Sequence, residues 1–399
     1  MGKLRKALRK KYKEYKGVNS IFISSFVPRK CGIATYTSDL TSAMDLISPL
    51  CEPRIVALNK PEDGIEYPPK VVFEINQDDF NSYKKAAGYI NRSRAEVVVL
   101  EHEFGLYGGK FGEYINELVK LIKKPLIITT HTIPDDPGKG YGAALKNVID
   151  FADSIIVMMP ESISKLANKY NYPKENIDLI PHGVPDILMG PVEEYKEKKG
   201  LQDRIILGNI NLLSEVKGLE YIIESLEFIK KQFPSVLYLI IGQTHPIVLK
   251  TEGEKYRNFL KEKIKKLGLE ENVKFINKYM SLDELVRWLK AIDIYITPYL
   301  DPQQSASGAL AYAIGAGKAC ISTSYMYAKE ILENERGIII PFRNSRAIAS
   351  AVIDLCKNPE KKLRIEKEAL KFGKLMAWPN VALQHFQLFS RILGKNSGV

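Results

Sequence analysis

Cysteine is scarce in this 399-residue chain: Cys31, Cys51, Cys320 and Cys356 stand far apart, and no two form a Cys-x-x-Cys pair. Such spacing argues against a disulfide scaffold or a zinc ribbon and is expected of reduced thiols in a cytoplasmic protein. Long apolar runs are missing too. No stretch approaches the roughly 18 uninterrupted apolar residues of a membrane helix, and the basic Met1–Gly17 lacks the apolar core of a secretory signal. The glycine motifs of common nucleotide folds are absent as well. No G-x-G-x-x-G follows a strand pattern and no G-x-x-x-x-G-K-[ST] occurs, which disfavours a nicotinamide enzyme and a P-loop ATPase.

What is there describes a globular chain. Hydrophobic residues make up 45% and charged residues 26%, and the length suits two or three domains with real cores. The formal net charge is +11, a balance open to nucleic acid, an anionic membrane or a phosphorylated substrate. Its location narrows the choice. Residues 1–16 hold eight Lys/Arg against the single acid Glu14, and so carry +7 of the +11. If helical, Leu4, Leu8, Tyr12 and Tyr15 fall along one side. That makes the segment either a weak amphipathic helix for anionic lipid or a solvated tail. With no recognisable nucleic-acid module, a specific nucleic-acid partner is not expected.

Two series of short apolar strands alternate with helical patterns. The first places strands at 20–24, 54–58, 71–75, 97–100, 126–129, 154–157 and 177–180, with a helical face running from Phe111 through Tyr114, Ile115 and Leu118 to Ile122. The second follows the charged stretch 193–200, which reads as a linker or helix end. Its strands are expected at 205–210, 236–241, 273–276, 292–297, 319–322 and 337–340, with helices over 219–233 and 282–290. Apolar strands alternating with amphipathic helices predict an α/β protein of two Rossmann-like, parallel-sheet halves. The expected layout is a basic extension at 1–17, domains over 18–192 and 200–374, and a final segment over 375–399 whose helix begins at Trp378. Ligands of open α/β sheets bind at the carboxyl ends of the strands, so two facing halves would place the site in the cleft between them.

The loops expected after those strands carry the chemistry. Gly32 sits at the first strand-to-helix turn, beside Arg29 and Lys30, which favour an anionic ligand. Glu101, His102 and Glu103 cluster at one strand end, followed by Gly105, Gly108 and Gly109. Imidazole and carboxylates there suit sugar hydroxyls or proton transfer. His131 and His182 follow two further strands. Zinc is disfavoured, because the three histidines lie on separate loops without H-E-x-x-H spacing. In the second half, Lys217 beside Gly218 is placed at a helix start to hold a phosphate. The small run Ser305–Ala309 could cradle an anion with its backbone N–H groups.

Taken in order, these loops resemble the retaining glycosyltransferases of family 4, whose GT-B fold has two facing Rossmann domains, over about residues 18–393. The resemblance rests on Phe26–Leu40 around Gly32, His102–Glu103, Thr130–His131–Thr132, Ile180–Val184 around His182, Val216–Lys217–Gly218, Ala316–Ala319 and Glu330. Trp378 falls where the family's last helix returns to the first domain. The resemblance implies sugar transfer with retention from an activated donor, with no cofactor or metal. It makes His102 and Gln304 the groups that orient the donor sugar, and Lys217 the group that stabilises the departing phosphate. Gly32, Ser307, Gly308, Ala309 and Tyr312 fall on the donor-phosphate side, and Glu103, His131 and His182 on the acceptor and sugar side. The leaving phosphate itself can take the acceptor's proton. Glu101 and Glu103, two residues apart, do not suit the paired carboxylates of a glycosidase.

Three departures bear on the donor. The family's usual arginine is Leu212 here, and its two spaced glutamates are Gln304 and Tyr312. Two alternatives therefore stay open beside an NDP-sugar transferase. One is a phosphorylase-like enzyme using a sugar 1-phosphate; the other is a sugar- or nucleotide-binding protein on a transferase scaffold. The acceptor is not legible. The protein is expected in the cytoplasm, with residues 1–16 offering peripheral contact to the inner membrane face.

Overall fold

The computed structural model describes residues 17–49, 53–186 and 192–394, so the basic segment 1–16 lies outside the described residues. The chain divides into two compact units. One runs to Gly183 and resumes at Trp378; the other is Val184–Ala377.

The first unit holds a seven-stranded sheet in the order β3-β2-β1-β4-β5-β6-β7. Its strands are β1 (Ser20–Ser24), β2 (Arg54–Asn59), β3 (Val71–Asn76), β4 (Val97–His102), β5 (Leu126–Thr130), β6 (Ser154–Val157) and β7 (Ile177–Leu179). The second unit holds β8 (Ile205–Ile210), β9 (Val236–Ile241), β10 (Val273–Ile276), β11 (Ile294–Thr297), β12 (Ala319–Thr323) and β13 (Ile338–Ile340). Their order is β10-β9-β8-β11-β12-β13. Neighbouring strands pair in parallel throughout, as Ser20 with Val97 and Ile205 with Val236 illustrate. In each sheet the strand order reverses beside the first strand, between β1 and β4 and between β8 and β11, where open α/β sheets bind ligands.

Sequence explains which strands are central. β1, β4, β5 and β9 are buried along their whole length, as continuous apolar runs covered on both faces must be. The edge strands β3 and β10 carry exposed Glu74 and Lys274, polar side chains that guard an open edge. Each unit has its own apolar core. Ile23, Leu100 and Ile128 lie in the first, and Leu226, Ile240 and Ile296 in the second.

Several boundaries differ from the expected ones. Of the two readings of the charged stretch 193–200, the helix end holds: the helix Val192–Glu197 ends within it, and its Lys196 Nζ lies 2.6 Å from Asp293 inside the second unit. β4 runs two residues further than expected, so Glu101 and His102 are strand residues. The apolar spacing from Phe111 does not make one helix. Phe111 has φ 60°, between Gly109 and Gly112 at φ 82° and 80°, and only Ile115–Leu121 is α-helical. Three left-handed residues in four cannot sit in a right-handed helix, and their glycines override the apolar period.

Candidate functional site

In the first unit, β4 and β5 bring two histidines and a buried carboxylate together. Glu101 pairs with Thr129 across the strands, and His102 with Thr130. Glu101 is fully buried, and its carboxylate meets His131 Nε2 at 2.8 Å. Thr129 donates to the same carboxylate at 3.5 Å. Glu103 turns away, capping the turn Phe104–Leu106 and accepting from the Thr132 hydroxyl at 2.7 Å. The two acids are thus engaged separately, and neither is left for a paired-carboxylate mechanism.

His102 is buried, and its Nδ1 has no hydrogen-bond partner among the described residues. Burial, reinforced by nearby His131, lowers its pKa to about 3. Burial likewise lowers His182 to about 4, and its Nδ1 lies 2.7 Å from the Gly183 carbonyl. Both imidazoles are neutral near pH 7, able to hydrogen-bond but not to supply charge.

An aromatic group collects these residues. Tyr36 lies edge-on to His131, His182 and Trp378, at centroid distances of 5.0, 5.2 and 5.3 Å. A Cβ at Gly183 would fall 2.0 Å from the Trp378 ring, so only glycine fits there. Sequence reasoning found His131, His182 and Trp378 but missed Tyr36, whose hydroxyl is buried without a partner. Its position one helical turn after Gly32 was the available signal.

Gly32 opens the helix Gly32–Ile47, which Cys31 caps by accepting from Ala34 N. A Cβ on Gly32 would meet nothing within 4 Å, so no protein atom requires glycine and the space beyond it is open. Arg29 does not turn to that space. Its guanidinium donates to the Leu58 carbonyl at 2.8 Å and to Gln77 at 3.3 Å, a structural role in place of the expected anion contact.

In the second unit the candidates gather at the carboxyl ends of β8 and β11. Lys217 ends the short turn Glu215–Lys217, and the helix starts two residues later at Leu219. Between them Gly218 has φ 62°, and a Cβ there would lie 2.4 Å from the Pro298 carbonyl. Both conditions demand glycine. Lys217 Nζ sits 4.0 Å from the centroid of Tyr299, and burial lowers its pKa to about 8 against the pull of Asp301. Tyr299 stacks on Tyr325 at 5.3 Å and lies near the side chains of Ser307 and Asn211. Ser307 caps the helix Gly308–Gly315, accepting from Leu310 N. Tyr299, Tyr325 and Asn211 were not singled out from sequence, because single tyrosines and asparagines carry no spacing signal. His245 was also missed. It caps the helix Pro246–Glu252, and burial and Lys217 lower its pKa.

Gln304 and Tyr312 are placed less openly. The Gln304 amide donates to the Ala306 carbonyl at 3.0 Å, folding onto its own loop. Tyr312 is buried on the helix that Ser307 caps, so little of its ring is left at the surface. Ala309 lies in the first turn of that helix. Lys318 is a structural cation: its buried ammonium donates to the Lys290 and Ile292 carbonyls ahead of β11.

Two doubly wound parallel sheets, one in each unit, are the architecture of the GT-B fold. Residues 191–372, most of the second unit, match the family Glycosyl transferases group 1. Across the chain, similarity extends to the D-inositol 3-phosphate glycosyltransferase of Corynebacterium glutamicum, 22% identical over 76% of this chain and 75% of that protein. The mannosylfructose-phosphate synthase of Agrobacterium fabrum is 25% identical over 36% of this chain and 32% of its own length. Among solved structures, sucrose-phosphate synthase from Thermosynechococcus elongatus superposes with a TM-score of 0.76 at 16% identity, covering 95% of this chain and all of that one. Anabaena HepE, solved with UDP and glucose, gives 0.73 at 15% identity over 94% of this chain and 100% of the other. The chain is thus similar in sequence to named glycosyltransferases and shares its fold with these solved structures.

Proposed function

We propose that the protein transfers a sugar, with retention of anomeric configuration, from a nucleotide-diphosphate donor to an acceptor. The observation that carries this reading is the Lys217 group. A lysine at a tight glycine turn lies over Tyr299, and near that ring Ser307 caps the helix Gly308–Gly315. As the glycosidic bond to the donor breaks, the leaving phosphate gains charge. An ammonium and helix-start N–H groups at Ser307 and Gly308 are suited to stabilise it. The phosphate then accepts the acceptor's proton, which needs no separate base. His102, neutral near pH 7, would orient the donor sugar by hydrogen bonding rather than by charge. Gln304 would assist from its loop, with Glu103, His131 and His182 on the sugar and acceptor side. The related proteins that bind UDP or carry glycosyltransferase names support a nucleotide-linked donor here.

UDP, GDP and ADP titrated by calorimetry test the donor. We expect one to bind and Lys217→Ala to weaken it by about tenfold or more, the worth of one charge-assisted phosphate contact. Undiminished binding in that variant would remove the phosphate assignment. The second reading, a sugar 1-phosphate donor, is favoured by Leu212, Gln304 and Tyr312, which leave the donor side without its usual arginine and two carboxylates. Turnover with a sugar 1-phosphate and none with any nucleotide-sugar would decide for it. We place the protein in the cytoplasm, since the three described cysteines are unpaired and no described helix is long and apolar enough to cross a membrane.

A further inference from the structure

His102 is the inner end of an aromatic row that leads out of the first unit. Its ring lies edge-on to Phe104, with centroids 4.9 Å apart. Phe104 meets Tyr141 at 4.8 Å, and Tyr141 meets Phe111 at 4.9 Å. The row begins fully buried and ends in the open. Tyr141 is 52% exposed and Phe111 36%, and the Lys110 ammonium stands 5.3 Å over the Phe111 ring.

Two features set this row apart from ordinary exposed aromatics. Phe111 is held at φ 60°, a conformation that a bulky side chain adopts only at a cost. Backbone geometry alone would be better served there by glycine or asparagine, so the phenyl ring is retained against the local preference, as happens at ligand clamps. The surroundings are the second feature. Segments 103–114 and 135–143, which carry the row, expose no large aliphatic side chain; Leu106 is buried, and the neighbours are glycines, Lys110, Glu113, Asp136 and Lys139. A face for lipid or for a partner protein would add leucine, isoleucine or valine. Rings flanked by polar groups instead suit a ligand that is apolar on one face and hydroxylated at its rim.

A pyranose ring is such a ligand. One face presents electron-poor C–H groups that pack on the electron-rich face of an aromatic ring, while its hydroxyls reach polar groups at the edge. We propose that Tyr141, with Phe111 edge-on beside it at an interplanar angle of 72°, stacks a pyranose of the acceptor, one or more sugar units out from the position His102 serves. The acceptor is then a glycan or glycoside longer than a single sugar. This rests on the transferase reading above.

Saturation-transfer NMR with maltotriose, cellotriose and β-1,4-mannotriose, run alongside UDP titration, tests it. At least one trisaccharide should bind, with strongest transfer to the C–H protons of one ring face. Tyr141→Ala and Phe111→Ala should each weaken that binding about tenfold, Tyr141→Phe should retain it, and UDP affinity should stay within about twofold throughout. Tyr141 is more than half exposed, so its variants keep the test open even if Phe111→Ala unfolds. Absence of binding by all three trisaccharides overturns the platform, as does binding that both alanine variants leave intact. So does loss in those variants of binding to phosphatidylglycerol vesicles instead of sugar. If wild type binds a trisaccharide but no nucleotide, the nucleotide-donor reading fails and the platform stands.

Discussion

Lys217 carries more of the proposed chemistry than any other single side chain, and its environment sets a pH limit. Burial lowers its pKa to about 8, so the ammonium is largely intact at pH 7 and is lost as the pH rises through that value. An activity that needs the charge should therefore fall on the alkaline side with an apparent pKa near 8 in kcat/KM, the parameter that reports the free enzyme. Lys217→Arg, which keeps its charge at all accessible pH, should remove that limb if any activity survives. His102 behaves in the opposite way. With a pKa lowered to about 3, it stays neutral across the working range, and no acid limb between pH 5 and 7 should trace to it. A pH–rate series on His102→Gln against wild type checks this: an acid limb between pH 5 and 7 that vanishes in the variant would show that the imidazole titrates within the working range, against its lowered pKa.

At the scale of elements, the site is made by helix starts and strand ends. The helix Gly308–Gly315 depends on Ser307, whose hydroxyl accepts from Leu310 N. Ser307→Ala removes the cap. A loss of about 1–2 kcal/mol, the upper range for a capping serine, is expected in denaturant unfolding. Because the same helix start is assigned to the donor phosphate, nucleotide affinity should fall in parallel. Stability lost with nucleotide affinity intact would separate the cap from the binding site. The segment Tyr107–Glu113 shows how a local element escapes pattern reasoning. The apolar spacing that starts at Phe111 reads as helix, yet Phe111 and Gly112 adopt positive φ and the helix begins only at Ile115. Apolar period reports which residues seek the core; backbone chirality at these positions decided the shape.

For the whole molecule, charge and connectivity are the informative quantities. Seven of the eleven net positive charges fall in residues 1–16, leaving +4 on the remaining chain. If that segment contacts anionic lipid, deleting it should abolish sedimentation with phosphatidylglycerol vesicles at low salt while UDP binding persists. Vesicle binding that survives the deletion assigns the membrane contact elsewhere. Connectivity matters at the other end. The helix Trp378–Ile392 belongs with the first unit, where Arg391 pairs with Asp178 and Trp378 packs on Gly183 and Tyr36. The first unit is therefore built from two separated stretches of chain.

Much of this protein was legible in its residues. Continuous apolar strands such as Val236–Ile241 announce a buried parallel sheet, because a strand covered on both faces has no polar side to show. Gly218 marked a tight strand-to-helix turn, since only glycine tolerates both positive φ and the nearby Pro298 carbonyl. The tertiary structure alone decided the partners. It joined Glu101 to His131, turned Arg29 inward to Leu58, and buried Lys318 as a brace beneath β11. It also set His102, Phe104, Tyr141 and Phe111 in one row from segments that sequence keeps apart. Residue type and period are local properties and survive in one dimension. Whether a charged or aromatic group meets a carboxylate, a carbonyl or open solvent depends on residues tens of positions away, and only the folded chain brings them within reach.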